Sequence, residues 1–211
     1  MRNILLVVTA ATLSGQVQSQ TFSGGIRGGL NFAQWRHVVE TSSIQTGAIN
    51  TVFTGEARTG YVFGVYYSRM FNKSIGLQPE LFYNSAGQKF AATSINLGYL
   101  SVPVFLRYNI TDQFHLLGGP QIGYLLSAEG HDPGATGGGA RDRKNDFHTA
   151  DFGAVFGIGV DVKNFNFGLR YAMGLTNIMK NNTAVVQGAS VRQNIQNVGW
   201  QLVAGYRLFG R

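Results

Sequence analysis

From residue 21 onward the dominant period of this 211-residue chain is two, the period of a strand with unlike faces, and helical spacing is hard to find. Between Gly98 and Tyr108, Leu100, Val102, Val104, Leu106 and Tyr108 share one face, and Tyr99, Ser101, Pro103, Phe105 and Arg107 share the other. The same contrast sets Phe152, Ala154, Phe156, Ile158 and Val160 against Asp151, Gly153, Val155, Gly157, Gly159 and Asp161. It also sets Phe165, Phe167, Leu169, Tyr171 and Met173 against Asn166, Gly168, Arg170, Ala172 and Gly174. Near the end, Val198, Trp200, Leu202, Ala204, Tyr206 and Leu208 oppose Gly199, Gln201, Val203, Gly205, Arg207 and Phe209. Eight strands are predicted, near 21–33, 57–70, 74–86, 95–109, 113–127, 149–162, 164–178 and 197–209.

Alternation alone does not say which face points where. The less apolar face gathers many of the chain's 29 glycines beside Arg, Glu, Asp and Gln, a mixture that suits a narrow lumen crossed by long side chains. The other face is bulky and nearly uncharged, where a water-facing wall would carry Lys and Glu. The polar face is therefore turned inward and the apolar face toward lipid. Cysteine is absent, which removes disulfides, thiol nucleophiles and cysteine-built zinc sites, and leaves packing and closure to hold the fold. In lipid every backbone N–H and C=O must be paired within the protein, so the first strand has to bond to the last. The expected fold is all-β, an eight-stranded antiparallel up-and-down transmembrane β-barrel, OmpA/OmpX-like in architecture.

The connections alternate in length. Tight links at 71–74, 109–112 and 162–164 alternate with longer ones at 33–57, from Gly87 (GQKFAATS), at 128–148 and at 179–196. Long loops on one end and short turns on the other, with both termini beside the short turns, are what an outer-membrane barrel shows. Residues 1–20, MRNILLVVTAATLSGQVQSQ, have an early positive charge, an apolar stretch from Ile4 to Leu13 and then small and polar residues. They read as an export signal too short to span a bilayer as a helix, with 21–211 as the barrel domain. Trp35, Tyr61, Tyr83, Phe90, Tyr108, Phe114, Tyr124 and Phe209 are candidates for the two interfacial aromatic girdles. The formal charge of +7 is made mostly of single basic residues, with only the run Arg141, Asp142, Arg143, Lys144 clustered and that run diluted by acids, so no nucleic-acid partner is expected.

By parity the lumen receives Arg27, Glu80, Arg107, Asp151, Asp161, Arg170 and Arg207, with Gln78, His115 and Gln121. Charges withdrawn from water need partners. Glu80 with Arg107 and Asp151 with Arg170 are the expected pairs, on neighbouring strands. Such a network would fill the interior and block passage; a solute path along the same groups is the alternative. No enzyme is expected: Ser101, His115 and Asp151 supply the residue types of a triad but lack a nucleophile-elbow context. His131, Asp132, Asp142, Asp146 and His148 crowd one loop without a calcium-loop spacing, so no metal site is expected. GATGGGARDRK at 134–144 lacks the GK[ST] ending of a phosphate loop, and no cofactor is expected. Asn72, Asn109 and Asn181 open sequons that matter only in a glycosylating host.

Several strands carry recognisable text: GIRGGLNFAQW at 25–35, GLQPELFYNSAGQKF at 76–90, LGYLSVPVFLRYNITDQFHLLGGPQIGYLLSAE at 97–129, then DFGAVFGIGVDV and NFGLRYAMGLTNI. Over nearly all of the chain past the export signal the sequence resembles the PorT-like outer-membrane β-barrel family of Bacteroidetes-type bacteria. The resemblance implies an exported barrel in the cell outer membrane, embedded among its lipids. One member of that family is implicated in secretion, and no family catalytic motif carries over. The expected role is structural, adhesive or accessory to envelope assembly or secretion, with envelope or secretion-complex proteins as partners. A narrow passive channel for small solutes is the second reading, and a soluble periplasmic barrel of lipocalin-like type the third.

Overall fold

The computed structural model describes residues 21–43, 47–54, 56–89, 94–131, 140–180, 183–186 and 189–210. The predicted export signal, Phe90, Asp132 and Asn181 lie outside the described residues. The strands in chain order are β1 (Phe22–Ser43), β2 (Gly47–Thr54), β3 (Glu56–Met70), β4 (Ile75–Lys89), β5 (Ser94–Asn109) and β6 (Phe114–His131). They continue with β7 (Ala140–Asp142), β8 (Ala150–Val162), β9 (Phe165–Gly174), β10 (Thr183–Val186) and β11 (Ala189–Gly210). Strands β1, β3, β4, β5, β6, β8, β9 and β11 pair antiparallel in that order. The pairing of β11 with β1, from Ser23 opposite Gly210 to Ser42 opposite Ser190, closes the ring.

Those eight are the predicted strands. The three not predicted are short and pair with overhanging ends of ring strands, β2 on β1, β7 on β6 and β10 on β11. Beyond the lipid a hairpin needs no apolar outer face, so these segments lack the alternation by which the others are read. For the same reason β1 runs past its predicted end near 33, and β11 begins well before 197.

Following paired residues around the ring from Phe22 leads through Arg69, Leu77, Leu106, Gly118, Phe156, Tyr171 and Trp200 to Phe32. The ring therefore closes with a stagger of ten residues, from Phe22 to Phe32. Over eight strands that corresponds to a tilt of about 40° and a backbone radius of roughly 8 Å, an interior that side chains can fill.

The faces are as the alternation requires. Leu100, Val102, Val104, Leu106 and Tyr108 are exposed on the outer wall while Tyr99, Ser101, Pro103 and Phe105 are buried. Phe156, Ile158, Phe165, Phe167, Leu169, Trp200, Leu202 and Tyr206 also face out. Val198 departs from the outer set and is buried, opposite Gln34 and Met173 in the ladder. Phe209, placed inside by parity, is exposed, because Leu208 is an extra residue between the Gly24 and Gly25 pairings and the bulge re-aims the chain.

The three tight turns sit at one end with Thr21 and Gly210. Backbone bonds link them laterally: Met70 N–H to Thr21 O at 2.9 Å, Asn109 N–H to Ser74 O at 2.7 Å, Asp161 N–H to Gln113 O at 2.9 Å and Arg207 N–H to Asn164 O at 2.8 Å. Tyr108, Phe114, Phe165, Tyr206 and Phe209 ring that end outside. Toward the loop end Tyr83 stacks on Tyr61 and Phe63, with centroids 5.8 and 5.3 Å apart, and Tyr124 is exposed. These are the two belts expected of a membrane wall. Trp35 is the exception among the girdle candidates. It is buried inside the barrel, because it shares parity with Arg27 and Asn31.

Candidate functional site

The ten residues predicted to face the lumen do so, and three of them, Gln78, Arg27 and Arg170, converge on the Glu80 carboxylate. Glu80, on β4 and 3% exposed, accepts Arg170 Nη1 on Oε2 at 2.7 Å. Its Oε1 accepts Arg170 Nη2 at 2.9 Å, Gln78 Nε2 at 2.6 Å and Arg27 Nη1 at 2.5 Å. A forked guanidinium matches the two carboxylate oxygens, so the Arg170 pair fixes direction as well as charge. Arg27 Nε donates to Asn166 Oδ1 at 2.8 Å, and Asn166 Nδ2 donates to Tyr66 Oη at 3.1 Å. The Arg27 guanidinium also lies 4.5 Å from the Tyr66 ring centre and that of Arg170 lies 4.9 Å from Phe105, so the plug is packed as well as paired.

Nearer the turn end a second group forms. Arg107 is paired with Asp161 and donates to Asn109 Oδ1 at 2.9 Å, Gln78 Oε1 at 3.2 Å and His115 Nδ1 at 3.2 Å. Gln78 thus joins the two groups. Toward the loops Asp151 accepts from Asn197 Nδ2 at 2.9 Å and Thr176 Oγ1 at 3.0 Å.

Both expected pairs are therefore corrected. Glu80 lies opposite Tyr66, whereas Arg107 lies opposite Gly76, four residues nearer the turns and roughly 13 Å along the strand. Arg170 lies opposite Gly157 while Asp151 is six residues further toward the loops, roughly 20 Å away. Adjacent strands were the right neighbours at the wrong heights. Partners were found across the bore instead, because an Arg side chain spans much of so narrow an interior.

Inner-face glycines make that crossing possible. A Cβ on Gly157 would stand 2.8 Å from Arg170 Cγ, and one on Gly159 would stand 2.3 Å from His115 Nε2. Gly157→Val is expected to force Arg170 off Glu80 and to lower stability by about 1–3 kcal/mol; denaturant unfolding in detergent checks it.

Above the plug, a cavity of about 40 Å³ lined by Asn31, Asn84, Ser101, Gln121, Asp151 and Asn197 separates it from an apolar cork. The cork consists of Ala33, Trp35, Ala86, Ile95, Leu97, Tyr99, Leu125, Ala128, Phe147, Ile178 and Ile195. Phe147, ahead of β8, and Ile178, after β9, fold in from the connections; the Trp35 and Phe147 ring centres are 5.9 Å apart. Sequence reasoning missed this cork. Its available signal was the inner face of β5, which turns apolar at Leu97 and Tyr99, and the parity of Trp35.

The remaining candidates are dispersed. Ser101 and Asp151 line the small cavity, but the His115 ring is held by Arg107 and lies 3.5 Å from Asp161 near the turn end. Of the loop set, Asp146 pairs with Arg143 at 2.9 Å and Asp142 Oδ1 accepts Lys144 N–H at 2.9 Å, while His131 stands in the β6 ladder opposite Ala140. Asn72 Oδ1 caps its own turn, accepting from Ser74 N–H at 2.8 Å and Ile75 N–H at 2.7 Å.

Residues 16–180 match the family model described as outer membrane protein beta-barrel domain. No curated protein sequence matches the chain. Among solved structures the chain is similar to Neisserial surface protein A at 13% identity, with 88% of this chain and 97% of that one covered and a TM-score of 0.49. It is similar to Ail, the attachment invasion locus protein of Yersinia pestis, at 15% identity, 87% and 99% coverage and a TM-score of 0.42. It is also similar to the outer membrane protein OprG from Pseudomonas aeruginosa at 14% identity, 92% and 99% coverage and a TM-score of 0.40. With a closed eight-strand ring, an apolar outer wall, a polar lumen and the family match over most of its length, the chain belongs to the outer membrane protein beta-barrel domain family and is a small barrel of the outer membrane.

Proposed function

We propose that this barrel is a non-catalytic membrane anchor whose extended hairpins do its work outside the cell, in adhesion or as an accessory to envelope assembly or secretion. The observation that carries this reading is the double obstruction of the bore, by the Glu80 ion cluster and by the Trp35 and Phe147 cork above it. Passing even a small solute would require breaking buried charge pairs and moving packed aromatic side chains, each costing several kcal/mol. The hairpins, by contrast, continue well past the cork, with β1 paired to β11 as far as Ser42 opposite Ser190.

Within the family, we place the chain among the PorT-like barrels of Bacteroidetes-type bacteria on YLSVPV, GGPQIGYLLSA and RYAMGLTNI, and read residues 1–20 as a cleaved export signal. Purified protein in planar bilayers is expected to give no steady conductance, and mild detergent extraction is expected to bring down an envelope partner. Stable single-channel steps from the folded monomer would overturn this reading in favour of solute passage.

A further inference from the structure

The turn end of the lumen opens as a vestibule of about 350 Å³ that the anchoring role does not use. Its floor is the Arg27 and Arg107 side of the plug, and hydroxyls and amides of Tyr66, Ser68, Asn109 and Asn166 stand in its wall. Deeper in, charge is paired: Arg27 and Arg170 share Glu80, and Arg107 holds Asp161. At the mouth it is not. Lys73, Lys163 and Arg207 line it against the carboxylate of Asp112, and the other carboxylate of the lining, Asp161, is held by Arg107.

None of these three cations is committed to a carboxylate among the described residues. Arg207 donates through Nη2 alone, to Lys163 O at 2.7 Å and Asn164 Oδ1 at 3.2 Å, both neutral acceptors. Lys163 sits in the turn itself, with φ of 57° at the first centre of a two-residue hairpin turn, where glycine would save a conformational cost of about 1–2 kcal/mol. Lys73 and Lys163 stand exposed in the turns and Arg207 is half-buried behind them, so the three cations face one opening together.

We propose that this vestibule binds a phosphate group presented from the periplasmic side. A carboxylate is planar and is satisfied by one guanidinium fork. Phosphate offers three or more strong acceptor oxygens in a tetrahedral array, which suits cations arriving from separate turns together with hydroxyl and amide donors between them. The phosphate belongs either to a soluble phosphorylated compound or to the headgroup of an inner-leaflet phospholipid at the mouth.

The test uses the folded full-length barrel in a maltoside detergent free of phosphate, with backbone amide shifts at 71–74 and 163–164 followed by NMR. Inorganic phosphate is titrated in one arm and a short-chain phosphatidylglycerol in the other, against chloride at equal ionic strength. Saturable shifts confined to those turns are expected with phosphate or with the amphiphile and not with chloride. Saturation by inorganic phosphate identifies a soluble source, and saturation only by the amphiphile identifies a headgroup. Lys163→Gln and Arg207→Gln are each expected to weaken the response about tenfold. Lys163→Gly relieves the turn strain, so it should unfold at a higher denaturant concentration and yet bind as weakly as Lys163→Gln. Shifts equal to those with chloride, or unchanged in both charge-removing variants, overturn the proposal.

Discussion

Glu80→Ala is expected to lower the unfolding free energy by about 3–5 kcal/mol, enough to leave part of the protein unfolded on gels that separate the compact barrel from the heat-denatured chain. The size follows from what the carboxylate holds. Its removal strands two guanidiniums, Arg27 at 5% and Arg170 at 2% exposure, inside a wall that faces lipid. Arg170 has no route to water that leaves the barrel closed, and Arg27 borders water only at the floor of the turn-end vestibule. Double-mutant cycles give the sharper result. Glu80 with Arg170 should show a coupling well above 1 kcal/mol, and Glu80 with Arg107 a small one relayed through Gln78. Replacing Glu80, Arg27 and Arg170 together by apolar residues of similar volume should recover much of the loss, because the charges offset their own desolvation more than they add net stability. A large direct coupling to Arg107 would refute the arrangement of the plug.

Leu202→Arg is the second large effect, and it tests the orientation of the wall. Leu202 is 49% exposed on the outside of β11, opposite Leu30 on β1 and Leu169 on β9. An arginine near the middle of a lipid-facing band costs about 2–4 kcal/mol, falling to about 0–1 kcal/mol near the interfaces. Leu202→Arg should therefore destabilise the barrel folded into vesicles far more than Tyr206→Arg, four residues nearer the turns. In a water-exposed wall the two substitutions would be nearly equal and nearly neutral. Unfolding by guanidinium in phosphatidylcholine vesicles distinguishes the outcomes.

Much of this architecture was legible from local pattern. Leu100 and Arg107 face opposite ways because successive side chains of a pleated strand must, and that holds whatever lies beside the strand. The tight links at Asn72, Asp112 and Lys163 were readable from turn chemistry, and the ten lumenal residues from parity. The cork was not, since Phe147 and Ile178 come from irregular connections whose course no period describes. Trp35 lies inside for a different reason: it shares the inward parity of Arg27 and Asn31, and in a pleated strand parity outweighs the preference of an aromatic near a strand end for the interface.

Local pattern was enough to assign the strand faces, Val198 and the bulged Phe209 apart, and the end of the barrel that each connection closes, because both follow from pleat geometry and turn length within a few residues. That Glu80 meets Arg27 and Arg170, and Arg107 meets Asp161, follows from closure of the ring and not from any one strand. Relative height in the lumen depends on the ten-residue stagger accumulated over all eight pairings, a property of closure that no single strand carries.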